Sequence, residues 1–185
     1  MTSRTSDSTA DTERTAATAP QPHGRFQRAW GRCFAAIYEP LMQATEQGGN
    51  AERRAAVLAL ARGTVVELGA GTGLNLPHYP ADVELVLTEP EPPMARRLLE
   101  RLGQSGRQAR VLQAPAERIP LPDGSVDTVV CTLVLCTVHD LDATLIEIRR
   151  LLRPDGRLLF IEHVAAQPST RLRVGSVQIV PRAAT

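Results

Sequence analysis

Residues 65–75 read Val-Val-Glu-Leu-Gly-Ala-Gly-Thr-Gly-Leu-Asn, and this short stretch constrains the chain more than any other. Two β-branched residues and Leu68 make a buried strand end, which passes directly into Gly69, Gly71 and Gly73 and then into helix-compatible sequence. Glycine is used where the backbone must take φ > 0, or where a ligand comes against it with no Cβ in the way. A strand entering such a turn at the edge of a parallel sheet is where nucleotide-like cofactors bind.

The flanking sequence agrees with a parallel sheet. Ala51 to Ala61 is rich in Ala, Leu and Arg and predicts a helix leading into a first strand at about 64–68. Strands follow at Val83–Thr88, Arg110–Gln113, Val126–Cys131 and Arg157–Glu162, with helices at Met94–Leu102 and Leu141–Leu152. The second helix is stopped by Pro154-Asp155-Gly156, and Pro122-Asp123-Gly124 predicts a turn. Strands alternating with helices predict a doubly wound, mostly parallel sheet with flanking helices. Residues 1–24, rich in Ser, Thr, Ala, Pro and charge, read as a disordered tail. Phe26 to Met42 carries Trp30, Phe34, Ile37 and Tyr38 at near-helical spacing, either as a helix packed on the domain or as a lid over its cofactor.

Composition removes several function classes. With 185 residues, 43% of them hydrophobic, and a net charge of +1, the chain supports one domain with a real core. It has no basic stripe or aromatic platform for nucleic acid, aromatics being only 3%. All basic residues are arginine, which excludes Schiff-base and lysine-general-base chemistry. Cys33, Cys131 and Cys136 form no Cys-x-x-Cys, so neither a disulfide framework nor a metal site is expected, and a cytoplasmic setting is the default. The longest apolar run, Val126 to Val138, is interrupted and falls short of the ~18 residues of an integral membrane segment. The start of the chain lacks a secretory signal core.

The glycines do not follow the dinucleotide pattern Gly-x-Gly-x-x-Gly, because its third position is Leu74 and Gly73 comes one residue early. Glu67 stands two positions before the first glycine, giving Glu-x-Gly-x-Gly-x-Gly. This suits a ligand without a pyrophosphate, its amino-acid end read by backbone N–H groups and a carboxylate. A nicotinamide-dependent oxidoreductase is disfavoured by Leu74 and by the lack of a tyrosine–lysine pair at a hydride site. A second acidic residue, Glu89, ends the second strand, where a carboxylate accepts from both ribose hydroxyls in βαβ nucleotide folds.

On these residues the chain resembles the class I S-adenosylmethionine (SAM) dependent methyltransferases. The segments Thr72-Gly-Leu-Asn-Leu-Pro-His-Tyr-Pro, Glu89-Pro-Glu-Pro, Val129-Val-Cys-Thr-Leu-Val-Leu-Cys-Thr-Val, Leu152-Arg-Pro-Asp-Gly and Phe160-Ile-Glu-His-Val-Ala-Ala narrow the resemblance. They are similar to the type 11 subgroup, which includes the mammalian methyltransferase-like alkyl-thiol S-methyltransferases and bacterial phospholipid methyltransferases. The resemblance spans about Phe34 to Ala166 and implies a Rossmann-like domain over 25–170. It also implies a SAM site built from Glu67, Gly69, Ala70, Gly71, Gly73, Asn75, Glu89, Pro90, Ala116, Glu117 and Thr132. Many members place an aspartate where this chain has Pro115, which shifts the adenine contact to backbone around Ala116 and to Glu117.

The cofactor carries the hard chemistry, and the protein must hold an acceptor in line with the methyl group. The acceptor implied is a small molecule: a thiol, an amine or a lipid headgroup. His139 and His163, at the ends of the fourth and fifth strands, are the candidate catalytic bases, each alternatively a structural strand-end histidine. Cys136 lies close by, and Cys131 reads as a small core residue. Family members continue past the fifth strand with a helix and an antiparallel strand pair. Residues 171–185 do not resemble that part, although Val174 to Val180 suits one strand. The expectation is therefore a sheet lacking the usual last antiparallel pair, and either a methyltransferase or a non-catalytic SAM-binding remnant or interaction module.

Overall fold

The computed structural model describes residues 50–162 and, for their backbone, residues 178–181. The N-terminal tail, the Phe26–Met42 segment, His163 and the rest of 171–185 lie outside the described residues.

Six strands form one sheet in the order β3-β2-β1-β4-β5-β6. They are β1 (Thr64–Leu68), β2 (Glu84–Thr88), β3 (Ala109–Leu112), β4 (Val126–Thr132), β5 (Leu152–Ile161) and β6 (Gln178–Pro181). The first five pair in parallel, while β6 runs antiparallel against Arg157–Phe160 of β5. The family resemblance implies an antiparallel pair at that edge; the described residues supply one such strand.

The helices are α1 (Ala51–Leu58), α2 (Pro92–Ser105) and α3 (Leu141–Leu151). Two start and stop signals moved their ends from the sequence expectation. Pro92 and Pro93 begin α2 two residues early, because the N–H that proline lacks has no partner in a first helical turn anyway. The helix α2 then runs on to Gly106, whose φ of 68° makes the left-handed stop. Helix α3 opens on Asp140, whose carboxylate accepts from Ala143 N at 2.9 Å. It ends at Leu151, one residue before the expected Leu152, since Leu152 is already extended and pairs with Val126. The Pro154-Asp155-Gly156 turn is thereby absorbed as an irregularity of β5, and regular pairing resumes at Arg157.

Strand alternation divides the core into two layers. Val65, Leu85, Leu87, Val130 and Leu159 pack with Val57 and Leu58 of α1 and Leu98 and Leu102 of α2. Val66, Leu68, Val86, Val129 and Cys131 pack with Ile148 and Leu151 of α3. Helices on both faces of a parallel sheet make the doubly wound arrangement that the alternation predicts.

The helix-compatible sequence after the glycine turn is not used as a helix. The chain after the glycine turn forms only the 3-10 turn Leu76–His78 before β2, not a helix. Pro77 and Pro80 interrupt a helical ladder, and the Asn75 side chain is engaged by Glu67 and makes no cap bond. Among the described residues, the segment between the turn and β2 therefore supplies no extended helix. Among the described residues no helix is long and apolar enough to cross a membrane.

Candidate functional site

The strand order 3-2-1-4-5 reverses direction between β1 and β4, and in open α/β sheets ligands bind at that switch point, beyond the carboxyl ends of the strands. The glycine turn occupies that place. Gly69, Gly71 and Gly73 have φ of 59°, 59° and 84°. At Gly69 there is also no room: a Cβ built there would overlap Cγ2 of Val134, from the segment after β4. Gly69→Ala is thus expected to destabilise the fold by about 1–2 kcal/mol through left-handed strain alone, with more from displacing Val134. Thermal unfolding of the variant measures this, and an unchanged Tm contradicts it.

Glu67 shares the face of β1 with Val65, so alternation drives its carboxylate into the layer beneath α1 and α2. It is only 2% exposed. A buried carboxylate needs partners, and it has two. Asn75 Nδ2 donates to Oε1 at 2.7 Å, and the Tyr79 hydroxyl donates to Oε2 at 2.8 Å. Burial pushes the Glu67 carboxyl up to about 7, against the lowering effects of Tyr79, Asn75 and Arg54. Burial, reinforced by Glu67, lifts the Tyr79 phenol far above its ordinary range. Asn75 Nδ2 also donates to Thr132 Oγ1 at 2.9 Å, and Asn75 Oδ1 accepts from Arg54 at 2.6 Å. One amide side chain thereby joins α1, the glycine turn and the end of β4.

Glu89 ends β2 and is buried, its carboxyl raised by desolvation and lowered by two amide donors. Those donors are Gly71 N to Oε2 and Glu91 N to Oε1, each at 2.9 Å. Each oxygen keeps a further lone pair for another donor. The turn is also fastened to β2 by Ala70 N donating to Thr88 O at 2.8 Å, while the Thr88 hydroxyl donates to Glu67 O at 3.1 Å.

The remaining sequence-derived residues divide. Arg54, Glu67, Gly69, Ala70, Thr72, Leu74, Asn75 and Thr132 line one small polar cleft. Pro90 follows Glu89 on the same edge and is exposed. Ala116 turns its methyl into the α3-side core, so only its backbone is on offer to a ligand. Glu117 has a different engagement: its Oε1 accepts from His139 N at 2.8 Å and Asp140 N at 3.2 Å. Partial burial raises its carboxyl, but those donors and the neighbouring charge leave it below the usual value. His139 is exposed in the segment between β4 and α3, and Cys136 is exposed in the same segment. Cys131 is buried, its thiol pushed up by desolvation, as expected of a core residue.

Arg54, Tyr79, Thr88 and Glu162 were not legible as site residues. Tyr79 alone had a signal, since a buried glutamate requires donors and Tyr79 lies in the segment that follows it. Among the described residues no group of His, Cys, Asp and Glu is arranged to hold a metal ion.

This architecture has counterparts among known proteins. The family model described as a methyltransferase domain matches residues 66–160, a little over half the chain. The thiol S-methyltransferase TMT1A of Homo sapiens is 38% identical over 110 residues, covering 58% of this chain and 45% of that protein. The phosphatidylethanolamine N-methyltransferase of Cereibacter sphaeroides is 31% identical over 116 residues, covering 61% of this chain and 57% of that one. A SAM-dependent methyltransferase structure from Thermotoga maritima superposes with a TM-score of 0.57 at 27% identity, covering 70% of this chain and 58% of the other. The chain spans about half the length of the curated relatives it matches. The matched segment holds the switch point, the glycine turn, Glu67 and Glu89 together, and the chain therefore belongs to the methyltransferase-domain family, within the class I S-adenosylmethionine-dependent methyltransferases.

Proposed function

We propose that the chain binds S-adenosylmethionine at the carboxyl edge of β1, β2 and β4 and passes its methyl group to a small-molecule acceptor, a thiol in the first instance. The observation that carries this reading is the pairing of two buried carboxylates with a glycine turn that admits no side chain at its first position. Buried acids with raised proton affinity suit a ligand that brings both cationic and hydroxyl groups. Thiols come first because the human relative at 38% identity is named a thiol S-methyltransferase. The bacterial relative named for a phospholipid amine keeps amines as the next acceptor class.

When bound, the cofactor supplies a methyl group on a sulfonium sulfur, ready for in-line displacement. The protein's own contribution is binding and placement. Glu89 would offer its two free lone-pair sites to the ribose hydroxyls, and the glycine turn, whose Ala70, Gly71 and Gly73 amides are bonded within the protein, would let the amino-acid end lie against backbone free of side chains. Glu67, pinned by Asn75 and Tyr79, sets the turn's conformation from below. Ala116 backbone and Glu117 would border the base, with Thr132 at the end of β4. A thiol has a pKa near ~8.5, so a modest base suffices to take its proton. His139, exposed beside the edge with its amide held by Glu117, is suited to that role, and His163 is the second candidate.

The reading is tested by incubating the chain with SAM and a panel of small thiols, amines and quinols, then following methylated product by mass spectrometry. Enzyme-dependent methylation of a thiol is the expected outcome. Cofactor binding with no transfer to any of them would identify a binding module instead.

A further inference from the structure

The segment from Leu133 to Asp140 joins β4 to α3 along the edge that carries the glycine turn. Leu133 has φ of 55°, the one non-glycine residue with positive φ among the described residues. For a branched side chain this conformation costs about 1–2 kcal/mol, and it persists only where the surroundings impose it. Leu133 N donates to Ile161 O at 2.8 Å, which completes the β4–β5 edge. The next two amides, Val134 N and Leu135 N, both donate to Oε1 of Glu162, at 2.8 and 2.9 Å. Glu162 is 7% exposed and follows directly on β5. Thr137 N then closes the turn on Val134 O at 2.9 Å. On the other side Val134 rests against Gly69.

Strand β4 has already ended at Thr132, paired with Ile161, so the two bonds to Glu162 do not extend the sheet. They fix the shape of a strained turn seated on the first glycine of the cofactor loop. We propose that Glu162 is a positioning residue for methyl transfer, holding the Leu133–Thr137 turn so that an acceptor is presented in line with the cofactor bound at the adjacent glycine turn. The proposal rests on the methyltransferase reading above. It gives Glu162 no proton to move: its oxygen is a fixed acceptor for two amides, and its effect reaches the reaction through the turn.

Three variants of the full chain, Glu162→Ala, Glu162→Asp and Glu162→Gln, test it with SAM and 2-mercaptoethanol as the acceptor probe. Calorimetry gives the SAM Kd, initial rates give kcat and acceptor KM, and hydrogen exchange reports the Val134 and Leu135 amides. Glu162→Ala is expected to keep SAM affinity within about threefold while kcat/KM for the thiol falls about 10–100-fold and the two amides exchange faster. Glu162→Asp, which keeps charge and burial but withdraws the oxygen by one methylene, is expected to fold and to lose about tenfold. Glu162→Gln keeps an oxygen for both amides and is expected within about fivefold of the native rate. A native rate in Glu162→Asp or Glu162→Ala overturns the proposal. Equal inactivity of the Gln and Ala variants, with native exchange in the former, also overturns it, since that result marks a proton-transfer role. A native chain that binds no SAM or methylates no acceptor overturns the underlying functional reading, and the positioning role with it.

Discussion

Glu89→Ala is expected to weaken SAM binding about 10²–10³-fold while leaving the chain folded. Hydrogen bonds to a charged group contribute about 1.5–3 kcal/mol each, and every 1.4 kcal/mol is tenfold in affinity. Two such bonds to ribose hydroxyls would already account for this loss. The structure adds a second contribution that the sequence did not suggest. The same carboxylate accepts from Gly71 N and Glu91 N, so its removal also releases the middle of the glycine turn and the entry into α2. Glu89→Gln separates the two effects, because its amide oxygen can still accept from one of the two backbone donors. It should fall between the native chain and the alanine variant. Titration calorimetry measures all three, and a loss below about threefold in Glu89→Ala would mean that the ribose site lies elsewhere.

The second large effect concerns Glu67 and pH. Its folded-state pKa, near 7, lies above the ordinary carboxyl value of 4.5 because burial penalises the charged form. Between those values the folded chain holds a proton that the unfolded chain has released. The stability this contributes is fully present below about pH 4.5 and is lost as pH rises through 7. A shift of this size corresponds to about 3 kcal/mol across that window. Other groups add slopes of their own: Glu89 is raised likewise, whereas Asp127 and Glu147 are lowered. The informative quantity is therefore the difference between the native chain and Glu67→Gln, which has no charge to bury. That difference is expected to change in the variant's favour by about 3 kcal/mol from pH 4.5 to pH 8, measured by denaturant unfolding at each pH. A difference that does not vary with pH would show that Glu67 is ionised at no special cost, with the cleft open to water.

The parts of this molecule that could be read from sequence are those set by short-range pattern. Val65 to Leu68, Leu85 to Thr88 and Val126 to Cys131 are dense in β-branched and apolar residues, and each is a strand within a residue or two of its expected bounds. Glu67, Gly69, Gly71 and Glu89 were legible as one cluster because a strand end, a turn and a second strand end follow at short spacing, and the fold brings them to one sheet edge. What sequence concealed is long-range. Nothing around Arg54 marks it as a partner of Asn75, 21 residues away, and it reads as one more arginine in an alanine-rich helix. Glu117 is expected at the adenine, and no sequence signal shows that its carboxylate also accepts from the amides of His139 and Asp140, which only the fold brings near. Glu162 read as part of a strand-end motif, and the turn it clamps lies 27 to 28 residues earlier in the chain. The helix-compatible sequence after Gly73 forms no helix for a related reason, because the side chain of Asn75 is committed to Glu67 and Thr132 rather than to a helix cap.

The glycine turn and its two acids are proposed to form a SAM site. Titration calorimetry of the native chain with SAM and with its demethylated thioether product, alongside NADH, tests it most directly. Saturable binding of SAM and the thioether in the micromolar range is expected, with no saturable binding of NADH. No heat with either sulfur compound, or saturable binding of NADH alone, would contradict it.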